Sequence, residues 1–393
     1  MKRNVLLLAV CQALMMTGSS LLIASAALVG IVLAPNPGLS TLPLAFHFLA
    51  VVSTTFPASL LMKRVGRKNG FLVGLVAAAA GATVCAYSIR AGSFVGYCAG
   101  VSLMGIFNAF GQYYRFAAAD VATEAYRSRA ISLVLAGGLV AAFAGPNLAN
   151  VTKDLVAGAA FSGGYASLII VYLISMLVVA GLRVPAPTVE EQSELGRPLI
   201  VIARQPTYVV AVVCAMIAYG VMNLLMTSTP LAMQHNGHAF SSAALVIEWH
   251  IVGMYAPSFF TGHLIARFGI IKVMMAGTVI LAFCVVTTLM GDNSVGAFLT
   301  ALAFLGVGWN FLFVGGTTLL TTTYAPAEKA KAQGLNDLFV FAAVAVTALS
   351  SGLLHHLIGW SLLNYGVLPM VAIAGVAILY LAKARSTSKL RDL

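Results

Sequence analysis

The sequence predicts an all-α membrane protein of twelve transmembrane helices, built as two pseudo-symmetric six-helix bundles. The first observation behind this is composition: of 393 residues, 60% are hydrophobic and 8% charged, with a mean hydropathy of +0.97. A soluble fold of this size needs a far more polar surface, so that class is excluded. The second is spacing, because a bilayer core about 30 Å thick calls for roughly 20 apolar residues per helix. The third is a pattern near the loops that recurs once at a fixed distance along the chain.

Twelve apolar runs lie at approximately 5–32, 41–62, 71–90, 94–116, 129–151, 162–182, 207–233, 240–265, 270–290, 295–323, 333–354 and 361–382. The opening Met1-Lys2-Arg3 imitates a secretory leader, but the run after it is too long and no soluble mature domain follows, so it reads as the first span. Between the sixth and seventh runs, Arg183 to Gln205 carries Pro185, Pro187, Pro198, Glu190, Glu191 and Glu194, the composition of a linker. The expected organisation is an N-terminal six-helix bundle over 1–182, a cytoplasmic linker over 183–206, a C-terminal bundle over 207–382 and a basic tail over 383–393.

An even number of spans puts both termini on one side. With Lys2 inside, every Lys and Arg except Arg90 and Lys153 is cytoplasmic, which is 20 of 22. The positive-inside rule thus predicts a multi-pass membrane protein with both termini in the cytoplasm. The formal charge of +11 sits in short loops beside the spans, where the lipid bilayer's headgroups are the partner, and nucleic-acid binding is excluded. Cys11, Cys85, Cys98, Cys214 and Cys284 all fall inside spans and form no C-x-x-C, against both disulfides and zinc. No catalytic dyad, phosphate loop or nucleotide motif is present, so the chain is not expected to be an enzyme.

Leu61-Met62-Lys63-Arg64-Val65-Gly66-Arg67-Lys68 after the second span parallels Leu264-Ile265-Ala266-Arg267-Phe268-Gly269 after the eighth, 203 residues on. Arg127-Ser128-Arg129-Ala130 before the fifth parallels Lys329-Ala330-Lys331-Ala332 before the eleventh, 202 residues on. Two matches at nearly one offset point to duplication. The loop segments resemble the signature G-x-L-x-D-R-x-G-R-K of the major facilitator superfamily, which implies that fold for the whole chain. Ser59 stands at the first Gly of the signature, while Lys63 and Ala266 stand at its Asp.

Met222 and Met226 lie one turn apart in the seventh run, and His250 and Met254 one turn apart in the eighth. The hairpin between the runs centres on His238. Met222 and Met254 are each 16 residues from it, and Met226 and His250 each 12, so the pairs match in depth near the midplane. Three thioethers and an imidazole form a soft, neutral donor set suited to Cu(I). The two motifs, with their 28-residue spacing, resemble the M-x-x-x-M and H-x-x-x-M pair of the CcoA-type copper importers. That resemblance implies copper import supporting maturation of cbb3-type cytochrome oxidase, with Met222, Met226, His250 and Met254 as metal ligands. Copper is then the transported substrate rather than a permanently bound cofactor, and downstream copper chaperones or oxidase assembly factors are the expected partners.

Some members of that family carry a cysteine pair upstream of the Met motif; here Cys214 is followed one turn later by Ala218. Met233, His235 and His238, with His355 and His356, are candidates for capturing metal at the outer mouth or for ordinary loop contacts. Glu248 is the acid nearest the middle of a span and lies on a different face from His250, which suits packing or proton coupling. His47 reads as a hydrogen-bonded packing residue. Arg115 and Asp120 read as an interhelical ionic latch. Related family members import riboflavin, and the alternative function is therefore a riboflavin or other organic-solute carrier, with Tyr113, Tyr114, Trp309 and Asn310 as stacking surfaces and amide partners.

Overall fold

The computed structural model describes residues 1–36, 39–185 and 196–391. Every regular element among them is helical. The first half contains α1 (Lys2–Leu33), α2 (Leu42–Val65), α3 (Arg67–Arg90), α4 (Phe94–Gly111), α5 (Tyr114–Val121), α6 (Arg127–Ala136), α7 (Gly138–Thr152) and α8 (Ser162–Ala180). A short α9 (Leu199–Ala203) precedes α10 (Pro206–His235), α11 (Phe240–Tyr255), α12 (Ser258–Phe268), α13 (Ile270–Met290), α14 (Val295–Leu320) and α15 (Lys329–Arg391). Residues 186–195 of the expected linker lie outside the described residues.

Eleven segments are long and apolar enough to cross a bilayer. The last, Pro326–Ser386, has 61 residues, which at 1.5 Å per residue is about three bilayer cores. It is divided at Gly359, whose φ of 72° and ψ of 172° are not helical, and the two pieces make twelve spans. The fourth, fifth and eighth spans are each built from two shorter helices, α4 with α5, α6 with α7, and α11 with α12.

The duplication read from the loops extends into the backbone and the packing. Gly66 ends α2 at φ 84° and ψ 159°, and Gly269 ends α12 at φ 89° and ψ 153°. These angles are open almost only to glycine, so both copies of the signature keep it for the same turn. Ser93 caps α4 by accepting from Gly96 N at 3.2 Å, and Ser294 caps α14 by accepting from Ala297 N at 3.2 Å. Each N-cap satisfies an amide that the helix itself leaves open.

Chain contacts divide the protein into two compact units. The first comprises Met1–Thr123, Leu133–Leu195 and Gln333–Leu338; the second comprises Glu124–Ser132, Gly196–Ala332 and Phe339–Leu393. The beginnings of the fifth and eleventh spans are thus exchanged, in matching positions of the repeat. Inside the second unit, Ser132 Oγ donates to Ser258 O, Ser128 Oγ donates to Gly262 O at 3.1 Å, and Gly262 N donates to Ser132 Oγ at 3.2 Å. A Cβ on Gly262 would come within 2.6 Å of Arg129 Cα. Inside the first unit the equivalent approach is between Ser59 and Gly334, where a Cβ on Gly334 would run into Ser59 Oγ and lie 2.9 Å from the Phe56 ring.

The departure of Ser59 from the loop signature is therefore matched by its partner. Where α12 carries Gly262 against Ser132, α2 carries Ser59 against Gly334, so each contact keeps one residue without a Cβ. Gly334→Ala is expected to cost about 1–3 kcal/mol by overpacking, read as a lower melting temperature of purified protein. Adding Ser59→Gly should recover most of that loss; no recovery would show that the contact does not limit the approach.

Candidate functional site

Met222 and Met254 are buried, Met226 is half-buried and His250 is fully buried. His250 Nδ1 lies 2.9 Å from Leu302 O in α14. A carbonyl only accepts, so Nδ1 carries the hydrogen and the imidazole is held against the neighbouring helix. In the first half, His47 Nδ1 lies 3.4 Å from Val101 O in α4. His47 and His250 are 203 residues apart, the offset of the loop repeat.

The helices meet closely at both places. A Cβ on Gly105 would be 2.5 Å from His47 O, and one on Gly306 would be 2.5 Å from His250 O. Each histidine thus belongs to a duplicated helix contact, α2 on α4 and α11 on α14. Losing the imidazole removes a hydrogen bond worth about 0.5–1.5 kcal/mol, while the carbonyl keeps its bond within its own helix. His250→Leu and His47→Leu should therefore lower the melting temperature by comparable amounts, with no effect of copper chelation on either variant or the parent.

The accessory residues are dispersed. Cys214 and Met233 are buried inside α10, and His235 is exposed at its end. His238 Nε2 donates to Asn293 O at 2.7 Å, tying the loop after α10 to the loop before α14. In that second loop the backbone N and side chain of Ser294 hold the Asp292 carboxyl below its usual pKa. His355 lies within electrostatic range of His235 and His356. Among the described residues no group of three or more His, Cys, Asp or Glu side chains is placed to hold a metal.

Glu248 is exposed on α11 and joins none of the ion pairs formed among the described residues. Asp120 accepts from Arg67 Nε at 3.2 Å. Arg115 pairs with Asp337, at 2.5 Å, with the two side chains 1% and 0% exposed. At the end of the linker, Arg197 grips Glu328 through Nε to Oε1 at 2.7 Å and Nη2 to Oε2 at 2.6 Å. Those bonds hold the Arg197 pKa above its usual value.

The second unit contains a concentration of aromatic rings. Tyr219 of α10 stands edge-on to Trp309, Phe313 and Phe341, at centroid distances of 5.3, 5.0 and 5.7 Å. Trp309 and Phe313 are one turn apart on α14 and stacked, 5.1 Å apart at 17°, and Tyr255 of α11 meets Trp309 edge-on at 5.7 Å. Trp309 Nε1 is buried without a hydrogen-bond partner among the described residues. In the repeat, Trp309 and Phe313 correspond to Asn108 and Gln112 of the first unit, whose amides bond to each other at 2.9 Å. One half thus carries aromatic faces where the other carries amides.

Of the other aromatic and amide candidates, three are committed to the scaffold. Asn310 Nδ2 donates to Met254 O and Ser258 Oγ, both at 2.6 Å, and its Oδ1 accepts from Thr261 at 2.6 Å, bracing the junction of α11 and α12. Tyr113 donates to Thr55 O at 2.8 Å. Tyr114 is fully buried against Phe71, 4.5 Å between centroids.

This architecture is that of a membrane transporter, and the chain belongs to the Major Facilitator Superfamily, whose family model matches residues 8–256 and 211–392. It is 39% identical over 389 residues, 98% of each chain, to the riboflavin transporter RfnT of Brucella anthropi. It is 30% identical over 318 residues, 75% of this chain and 70% of the other, to the MFS-type transporter YddS of Bacillus subtilis. Among solved structures, the Escherichia coli fucose:proton symporter FucP aligns with a TM-score of 0.76 at 16% identity, covering 97% of this chain and 98% of that one. A bacterial homologue of the iron transporter ferroportin aligns with a TM-score of 0.74 at 15% identity, covering 97% and 99%. At such identities these two share the fold alone.

The expectation of copper import is overturned by the full-length relation to a riboflavin transporter. The M-x-x-x-M and H-x-x-x-M motifs, Met222, Met226, His250 and Met254, matched a copper pattern in spacing. In the structure the His250 imidazole makes a helix contact through Nδ1 that recurs at His47. The role in cbb3-type oxidase maturation loses its basis with copper import.

Proposed function

We propose that this protein is a riboflavin transporter that imports the vitamin across the bacterial inner membrane, with both termini in the cytoplasm. The observation that carries the reading is the 39% identity to RfnT across 98% of both chains. The orientation rests on the 20 of 22 basic residues that fall on one side.

The chemistry of the second unit suits this substrate. Riboflavin joins a flat, conjugated ring system to a chain of hydroxyl groups, and flat rings gain about 0.5–1.5 kcal/mol from each well-placed aromatic partner beyond area burial. Tyr219, Trp309, Phe313, Phe341 and Tyr255 supply such faces, and the unpaired Trp309 Nε1 supplies a donor for a ring carbonyl. Expression in a bacterial strain unable to make riboflavin should restore growth on micromolar vitamin and raise uptake of labelled riboflavin. Uptake equal to that of the empty vector, with the protein inserted at normal levels, would contradict the reading.

A further inference from the structure

The scaffold repeats at an offset of 201–203 residues in its turns, caps and histidine contacts, but its most deeply buried charges do not. The positions corresponding to Arg115 and Asp337 are Gly316 and Leu135. A buried ion pair that only one half possesses is not required by the fold the halves share. In a membrane span such a pair is costly to keep, and its retention points to a task.

The surroundings of the pair indicate which task. Arg115 Nη1 donates to Gln112 O at 3.0 Å and Gln112 Oε1 at 3.2 Å, and Nη2 donates to Asp337 Oδ1 at 2.5 Å. Asp337 Oδ1 also accepts from Asn336 Nδ2 at 2.8 Å. Asp337 Oδ2, equally buried, has no hydrogen-bond partner among the described residues. A carboxylate has acceptor sites on both oxygens, and here one is doubly served and the other bare.

The other ionisable groups facing Asp337 are otherwise engaged. Arg67, at the start of α3, donates to Gln333 Oε1 at 2.5 Å and to Asp120 at 3.2 Å. Tyr113, between α4 and α5, spends its hydroxyl on Thr55 O of α2. Arg115 is then the one cation hydrogen-bonded to Asp337 among the described residues.

We propose that Asp337 carries the proton that accompanies riboflavin, taking it at Oδ2. This rests on the transport reading above. Protonation forms an Oδ2–H bond and turns the carboxylate into a neutral acid; no other covalent bond changes, and the proton leaves again from the same oxygen to water on the inner side. Oδ1 still accepts from Arg115 and Asn336, but the Coulombic part of the hold on Arg115 is gone. The loosened turn belongs to Gln333–Leu338, the part of α15 that packs in the first unit. Phe341 of the aromatic cluster lies one turn further along the same helix. A change at Asp337 is therefore passed to an aromatic face through a single turn of backbone.

The experiment uses purified protein in liposomes containing a pH-sensitive dye. With the parent protein, an inward riboflavin gradient should acidify the lumen, and a pH difference of one unit should drive accumulation of up to about tenfold for one proton per vitamin. Asp337→Asn should keep exchange of labelled for unlabelled riboflavin within about twofold of the parent. It should lose both the acidification and the pH-driven accumulation. If Asp337→Asn does not insert, Asp337→Glu should still move protons with a displaced pH midpoint; an unchanged profile overturns the proposal. Proton movement surviving in Asp337→Asn also overturns it. Riboflavin movement without protons in the parent overturns it while leaving the transport reading intact, and no riboflavin movement in the parent overturns both.

Discussion

Arg115→Met is expected to lower the stability of the protein by about 3–5 kcal/mol, because it leaves the Asp337 carboxylate buried at 0% exposure without its counter-ion. The loss comes mainly from the unpaired charge and not from the missing bond. Removing the second partner as well should then help: Arg115→Met with Asp337→Leu replaces a buried pair by apolar groups, an exchange that is often neutral or stabilising. Melting curves of the three proteins in one detergent decide the matter. A double variant as unstable as Arg115→Met would mean that packing, and not charge, is what the pair contributes.

The second large effect is expected at Trp309, whose ring is 0% exposed and touches Tyr219, Tyr255 and Phe313. Trp309→Ala opens a cavity worth about 3–5 kcal/mol of stability. It also removes a face from the cluster proposed to meet the flavin ring, so uptake per inserted molecule should fall by about tenfold or more, the equivalent of roughly 1.4 kcal/mol. Trp309→Phe keeps an aromatic face and loses the Nε1–H, and should lie between parent and Trp309→Ala. Normal uptake per molecule by both variants would remove the cluster from substrate binding.

The twelve spans were legible because each bilayer crossing imposes its own length and polarity, a signal that needs no tertiary information. The duplication was legible at Gly66 and Gly269, where a glycine-only backbone angle keeps the residue recognisable in both halves. The pairing of Ser59 with Gly334 was not, since a tolerated substitution in one helix is explained only by the helix against it.

The same limit governed the site. The i, i+4 spacing of His250 and Met254 sets a common face but does not say which carbonyl the imidazole meets. A usable signal was present all the same, because His47 stands 203 residues earlier, at the offset of the loop repeat, and a duplicated histidine speaks for the scaffold. Asp337 escaped notice because it lies only four residues inside the predicted start of its span, where an acid is easily taken as interfacial, while its partner is 222 residues away. Glu248 drew attention through its mid-span position, yet its side chain is exposed. The aromatic cluster gathers residues from α10, α11, α14 and α15, and of these only Trp309 and Phe313 are neighbours on one helix.

Uptake of labelled riboflavin by liposomes containing only the purified protein tests the central claim most directly, since no other carrier or metabolic trapping is present. The account predicts time-dependent uptake that saturates with riboflavin, is competed by unlabelled vitamin, and is reduced in Trp309→Ala at equal protein content. Uptake no greater than that of protein-free liposomes, from preparations that are folded and correctly inserted, would contradict it.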